Sequence, residues 1–254
     1  MDHLHGYSIW KELRINKYWE DRASTYNNLD LFNEEVFIKE LENGLCFNKQ
    51  DLVLDVGAGT GRLSPFIIPK VKHLVSLDSS ESMLKIGSCY GAELVVGDAR
   101  KLHFADKSFT KVLLCYVLHH ILTDTLDAIM ESFRVLRSGG KILLIEAIPP
   151  LYSLKEDFIS IFKEKEERKT FMFSDLVSFL EEAGFKIQQG NVKEVRMSIN
   201  NWLNNNALNA STVSKIYNKH KNASSLFKSA YGMEEIENDI YINTHIAFIV
   251  GKKL

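Results

Sequence analysis

From residue 51 onward the chain alternates short apolar runs with segments of helical spacing. The runs "DLVLDVG" (51–57), "VKHLVSLD" (71–78), "AELVVGD" (92–98), "KVLLCYVL" (111–118) and "KILLIEAI" (141–148) are nearly continuous in apolar character. That suits strands of a parallel sheet buried on both faces. Between the last two, Leu126, Ile129, Met130, Phe133 and Leu136 recur at helical spacing, with Thr123 as the expected N-cap and Gly139 near the stop. The device repeats in "SDLVSFLEEAGF": Ser174 caps, Leu176, Phe179 and Leu180 form the face, and Gly184 ends the helix before the strand "FKIQQGNVKEV". The closing "IYINTHIAFIVGKK" is β-rich and completes the sheet. An α/β architecture with helices on both faces of the sheet follows.

Two segments stand outside this alternation. Residues 1–45 read as two helices forming an N-terminal cap. One carries Trp10, Leu13, Tyr18, Trp19, Arg22 and Tyr26; the other is capped by Asn33 and closed by Gly44. Residues 197–233, polar and rich in asparagine, read as a helical lid inserted between the last two strands. The expected organisation is a core of residues 46–196 and 234–254 with the cap and lid folded onto it as one domain, without internal repeats.

Composition narrows the partners. A chain of 254 residues, 45% hydrophobic, can bury a sizeable core, and a net charge of −2 supplies no global field for nucleic acid or an anionic membrane. Cys46, Cys89 and Cys115 are far apart in sequence, form no C-x-x-C pair and read as buried thiols of a reducing compartment. No run of about eighteen apolar residues could span a bilayer, and "MDHLHGYSIWKELR" lacks the order of a secretory signal, so a cytoplasmic protein is expected.

The chemistry begins at "DLVLDVGAGTGRLS", where a strand runs into a glycine-rich turn. Such a turn brings backbone N–H groups and a helix start close to a ligand, with no Cβ in the way. The dinucleotide fingerprint G-x-G-x-x-G would need glycine at position 62, where Arg62 stands, and the G-x-x-x-x-G-K-[ST] loop has no match. What remains is Asp55-x-Gly57-x-Gly59-x-Gly61, an acid at the strand end before three glycines spaced two apart.

This pattern resembles motif I of the class I S-adenosylmethionine-dependent methyltransferases, and the resemblance extends over about residues 14–190. Asp78 follows the second strand in "SLDSSESML", "GDARKLHF" follows the third, and "KVLLCYVLHHI" and "VLRSGGKILLIEA" complete the series. "YWEDRASTYN" is similar to the Trp-x-x-Arg-Ala-x-x-Tyr helix that many members fold over the donor. The resemblance implies a Rossmann-like, doubly wound sheet of seven strands, mostly parallel with an antiparallel last strand. It implies S-adenosyl-L-methionine as methyl donor and S-adenosyl-L-homocysteine as product. Asp78 would accept from the ribose hydroxyls, Asp98 and the Ala99 backbone would meet the adenine, and Tyr18, Arg22 and Tyr26 would lie at the methionine end. The remaining expected donor contacts are Asp55, Gly57, Ala58, Gly59, Gly61, Ser79, Met83 and Cys115.

Methyl transfer is an in-line displacement that needs positioning and exclusion of water, and a base only where the acceptor loses a proton. His119 and His120 end the fourth strand and are the candidate bases, with packing as the other reading. Asp98, His103 and Asp106 lack metal-ligand spacing, so no metal is expected. The lid interleaves Arg196, Lys215, Lys219, Lys221 and Lys228 with Trp202, Tyr217, Phe227 and Tyr231 and contains no acid from 195 to 233. It would favour a small acceptor of acidic or aromatic character, unless its lysines form a solvated face over aromatics packed on the core. An RNA- or protein-directed methyltransferase and a non-catalytic binder of the donor or its product are the alternatives; oligomeric state is not legible.

Overall fold

The computed structural model describes residues 17–29, 34–203 and 208–254, so the expectations for Trp10, Leu13 and the Asn33 cap lie outside the described residues. Helix α1 covers residues 17–26, and α2 is Glu34–Leu45. The alternating core then runs β1 (Leu52–Val56), α3 (Ser64–Ile67), β2 (His73–Asp78), α4 (Glu81–Gly87), β3 (Glu93–Val96), β4 (Phe109–Cys115), α5 (Thr125–Val135) and β5 (Leu136–Ile148). It continues with α6 (Lys155–Lys165), α7 (Phe173–Glu182) and β6 (Lys186–Ser198), then α8 (Ile199–Leu203), α9 (Ala210–Lys221), α10 (Ser225–Ala230), β7 (Glu234–Ile236) and β8 (Asp239–Lys252).

The strands pair in the order β3-β2-β1-β4-β5-β8-β6. All neighbours from β3 to β5 are parallel, and β8 is antiparallel to both β5 and β6. The doubly wound expectation holds, with one correction: the sheet has eight strands. The acidic run after the lid folds Glu234–Ile236 back on β8 as a short ribbon, with Glu237 in the left-handed region at the turn. Hydrogen bonding to an existing edge is enough to order so short a strand.

Strand alternation delivers side chains to both faces. Leu54, Val112, Leu114, Ile142 and Leu144 join α5 and α7 in one apolar layer, while Val53, Leu113, Leu143 and Ile145 meet Phe37 and Leu41 of α2 in the other. Each such fully buried aliphatic side chain contributes roughly 1.5–3 kcal/mol of transfer free energy. A third cluster joins Phe158 of α6 to Ile216, Phe227 and Tyr231 of the inserted helices and Ile240 of β8. The inserted cations face outward: Lys219 pairs with Glu164 at 3.0 Å and Lys221 with Glu235 at 3.6 Å, and Lys215 is exposed.

Several local expectations shift. Asp124, not Thr123, precedes α5, and Leu136 already belongs to β5. Helix α7 starts one residue before Ser174, because Asp175 Oδ2 accepts from the Met172 N–H at 2.8 Å and closes the first turn. Gly44 lies inside the last turn of α2, where a Cβ would stand 3.0 Å from Val250 Cγ2; its absence lets the helix settle on the sheet, and Cys46 takes the left-handed cap. Cys46 and Cys89 are exposed rather than buried, and Cys115 is half-buried; all three are free thiols. Helix α6 had no counterpart in the sequence reading. Among the described residues no helix is long and apolar enough to cross a membrane.

The glycine turn after β1 is tightly specified. Gly57 has φ +71°, and a Cβ there would lie 2.4 Å from Val117 Cγ2. Gly139 has φ +78° and open space around it. Gly139→Ala is therefore expected to cost about 1–2 kcal/mol, for backbone strain alone. Gly57→Ala should cost roughly 2–5 kcal/mol, because overpacking adds to that strain. Urea unfolding of the two variants checks the difference.

Candidate active site

Two cavities meet at the carboxyl ends of β1, β2, β4 and β5, the position where open α/β sheets bind ligands. The first, about 560 Å³ including its open mouth, is lined by the glycine turn, Asp55, Asp78, Met83 and Cys115. The second, about 650 Å³, is lined by Arg22, His119, His120, Lys165, Glu166 and Arg168 among apolar walls. Trp19, Tyr26 and Tyr116 line both and form the partition.

The first cavity is built from short connections. Leu77 O accepts from the Gly57 and Ala58 N–H groups at 2.7 and 2.9 Å, and Asp78 Oδ2 accepts from the Gly59 N–H at 2.8 Å. Asp78 Oδ1 accepts from the Ser80 N–H at 2.8 Å. The turn thus spends its donors internally instead of presenting an anion cradle, and each Asp78 oxygen keeps a lone pair for a further donor. Helix α3 has only four residues, with Pro65 in its first turn and Pro69 just beyond its end, so it offers little of a helix N-terminus. Burial, then the nearby Asp78, pushes the Asp55 carboxyl up to about 8, which leaves it protonated at neutral pH. Burial pushes the Cys115 thiol well above its usual range.

Helix α1 closes this cavity. Thr60 Oγ1 and Asn27 Oδ1 are 2.5 Å apart, and Arg62 Nη1 donates to Leu29 O at 2.8 Å, so the glycine turn holds the end of the helix. Asn201 of α8 donates to Asn28 O at 3.1 Å and ties the inserted helices to the same point.

In the second cavity, Glu146 at the end of β5 is fully buried and organises the turn that follows β4. Its Oε1 accepts from the Leu118 N–H at 2.7 Å, and its Oε2 lies 2.6 Å from His119 Nδ1. Burial pushes Glu146 up to about 7, and burial, then Arg168, pushes His119 well below its ordinary range. Neutral His119 donating from Nδ1 to Glu146 keeps Nε2 as the ring acceptor. The His120 ring lies 3.9 Å from that of His119 and edge-on to Trp19 at 4.6 Å. Tyr116 reaches the partition from a left-handed backbone, φ +58°, a strain of the kind found at functional sites.

The segment after α6 covers His119. The Lys169 N–H donates to His119 O at 2.8 Å and its Nζ to Thr125 Oγ1 at 2.6 Å, which brings Glu166 and Arg168 over the site. Glu166 Oε2 accepts from Tyr18 Oη at 2.5 Å and Arg22 Nη1 at 3.2 Å, and Oε1 lies 3.5 Å from Arg168 Nη1. Burial alone would raise this carboxyl, but His120, Lys165, Arg168 and Arg22 together hold it well below the usual carboxylate range.

Of the sequence-predicted donor residues, Tyr26, Asp55, Gly57, Ala58, Gly59, Asp78, Met83 and Cys115 line the first cavity. Arg22 lines only the second, and Tyr18 points to Glu166. Gly61, Ser79 and Ala99 line neither cavity, and nor does Asp98, whose exposed carboxylate is held by Arg100, with Nη2 to Oδ2 at 2.6 Å. The lid cations are absent from both walls; Trp202 is its one predicted aromatic there. Sequence reasoning passed over Glu146, Lys165, Glu166 and Arg168. The last three stand in the charge run "KEKEERK", which has the composition of a solvated surface.

His119, His120 and Glu166 also bring potential metal-ligand atoms within 4.8 Å of one another, a grouping that spacing along the chain does not reveal. Arg22 and Arg168 already neutralise its carboxylate, so a divalent cation would meet like charge there.

The Glu166 cluster predicts a pH-dependent stability. Its folded-state carboxyl is depressed, so its stabilisation is complete above the ordinary value of 4.5 and drains away as pH falls toward the folded value. Glu166→Gln is expected to lose about 3–5 kcal/mol at pH 7, because it leaves buried cations unpaired. The gap from the unsubstituted protein should narrow below about pH 4.5, as followed by urea unfolding across pH.

Residues 54–144 match the family model described as "Methyltransferase domain". The chain is 28% identical over 146 residues to the uncharacterized methyltransferase YcgJ of Bacillus subtilis, covering 52% of this chain and 57% of that protein. It is 30% identical over 154 residues to demethylmenaquinone methyltransferase of Listeria welshimeri, covering 55% of this chain and 65% of that one. It therefore spans less than two thirds of the length of both relatives. Against demethylmenaquinone methyltransferase of Staphylococcus aureus the identity is 33% over 206 residues, covering 68% of this chain and 85% of that protein. The crystal structure of YcgJ superposes with a TM-score of 0.79 at 20% identity, over 87% of this chain and 99% of that one, and shares the fold. With a glycine turn, an acid after β2 and a relative matched over most of its length, the chain belongs to the class I S-adenosylmethionine-dependent methyltransferases.

Proposed function

We propose that the protein transfers a methyl group from S-adenosyl-L-methionine to a small-molecule acceptor, with residues 1–45 as cap and 197–233 as lid. The observation that carries this reading is the pair of cavities sharing Trp19, Tyr26 and Tyr116, one ending at Asp78 and the other at the His119–Glu146 pair. The first cavity suits a nucleoside donor without phosphates: the N–H groups of Gly57, Ala58 and Gly59 are already satisfied, while Asp78 can accept from vicinal hydroxyls. A dinucleotide, whose pyrophosphate needs those donors, fits it poorly.

When bound, the donor would supply an electrophilic methyl on a sulfonium, whose sulfur leaves as neutral thioether in S-adenosyl-L-homocysteine. The protein's part is to orient, to dry and to move a proton. His119 Nε2 would take the proton that the acceptor loses, and Glu146 would stabilise the resulting imidazolium through Nδ1. Glu146 also fixes the ring by accepting from the Leu118 N–H. The second cavity, about 650 Å³ with its open mouth included, is of a size for a small acceptor rather than RNA or a protein surface, and the names of the Listeria and Staphylococcus relatives point the same way.

Calorimetry is expected to show S-adenosyl-L-homocysteine binding and no binding of NAD; the reverse order would remove the proposal. Asp78→Ala should weaken that binding by about tenfold to a hundredfold, the worth of one or two hydrogen bonds to a charged group. With methyl-labelled donor and a metabolite extract, His119→Gln should lower label transfer by about 10²–10⁴-fold while leaving product affinity nearly unchanged.

A further inference from the structure

Two residues that line the second cavity each carry a buried guanidinium nitrogen without a hydrogen-bond partner: Arg22 at Nε and Arg168 at Nη2. Their side chains are 4% and 5% exposed. A buried donor left unpaired costs about 1–3 kcal/mol, more when charged, and native interiors leave few without a ligand or water.

Arg168 is positioned as a reader rather than as a structural strut. Its Nε donates to Lys169 O at 3.3 Å, its Nη1 stands 3.5 Å from Glu166, and its guanidinium lies 4.3 Å over the Phe162 ring. That stacking holds the fork flat with Nη2 still to be satisfied. Nearby, buried Lys165 donates one of its three N–H groups to Trp202 O at 3.2 Å and lies 4.0 Å over the Trp202 ring. Burial pushes its ammonium well below the usual range, and an anion beside it would push it back up.

The nearby acids leave Arg168 Nη2 without a partner. Glu166 is shared by Tyr18, Arg22 and Arg168 Nη1, and Glu146 is taken by His119 and the Leu118 N–H. The walls between are apolar and rich in aromatic rings, with Trp19, Phe162, Met197 and Trp202 among them.

We propose that the second cavity takes an acceptor bearing a fixed anion, a carboxylate or its equivalent, on a flat aromatic or conjugated body, with Arg168 Nη2 and Lys165 Nζ as the anion subsite. The word acceptor rests on the methyl-transfer reading; the subsite itself does not. Arg168 is then the residue that sets specificity.

The test uses 2-naphthoate and the uncharged 2-naphthamide as probes, titrated by calorimetry into the full chain both with and without S-adenosyl-L-homocysteine. The carboxylate is expected to bind at least about tenfold tighter than the amide, the worth of one charged hydrogen bond. Arg168→Met should abolish the difference, and Arg168→Lys should keep part of it. If Arg168→Met does not fold, as judged by its melting curve, Lys165→Met is read in its place and should narrow the preference. Equal binding of the two probes, no detectable binding of the carboxylate, or a preference unchanged in both methionine variants would each overturn the subsite. Binding of S-adenosyl-L-homocysteine, measured separately, reports on the methyl-transfer reading. Its absence with the carboxylate preference intact would remove that reading and leave the subsite standing.

Discussion

One buried carboxylate holds the site together. Glu166 gathers Tyr18 and Arg22 from α1 and Arg168 from its own segment, and so joins parts of the chain 144 to 148 residues apart. Desolvating such a cluster is expensive, and apolar side chains of the same volume would often serve stability as well or better. A charged arrangement in that place makes most sense where charge has work to do, beside a cavity that receives a polar ligand. The same cluster stacks Arg22 against Tyr18 and Trp19, which puts Trp19 edge-on to His120.

Glu146 exerts a second, smaller constraint. A strand that ended freely would leave the 118–120 turn loose; here one carboxylate accepts from its backbone and orients its imidazole. Lys169 then closes the turn from above through His119 O. The two cavities share Tyr116, whose strained backbone carries the chain between them. The two sites are thus fixed by one stretch of the chain, residues 115–120.

Legibility differed with the range of the forces involved. Central strands were readable because burial on both faces requires continuous apolar runs, and the glycine turn because a left-handed backbone and a 2.4 Å approach to Val117 leave no alternative residue at Gly57. Asp78 was readable from its place at a strand end. Helix α6 and the run that follows it were not, since Lys165, Glu166 and Arg168 have the composition of a solvated surface. Asp98 is held by the neighbouring Arg100 at the surface, a pairing between near neighbours in the chain. The lid lysines left two readings open, a ligand face or a solvated one; Lys219 and Lys221 pair with Glu164 and Glu235 at the surface while Ile216, Phe227 and Tyr231 turn inward.

By itself, then, the sequence determined the order of strands and helices, the turn after β1 and the acid after β2, because these depend on periodicity and on steric limits within a few residues. Tertiary structure alone decided which charges went inside. That choice depends on whether distant cations surround a carboxylate closely enough to replace its water, and no local pattern records such a meeting.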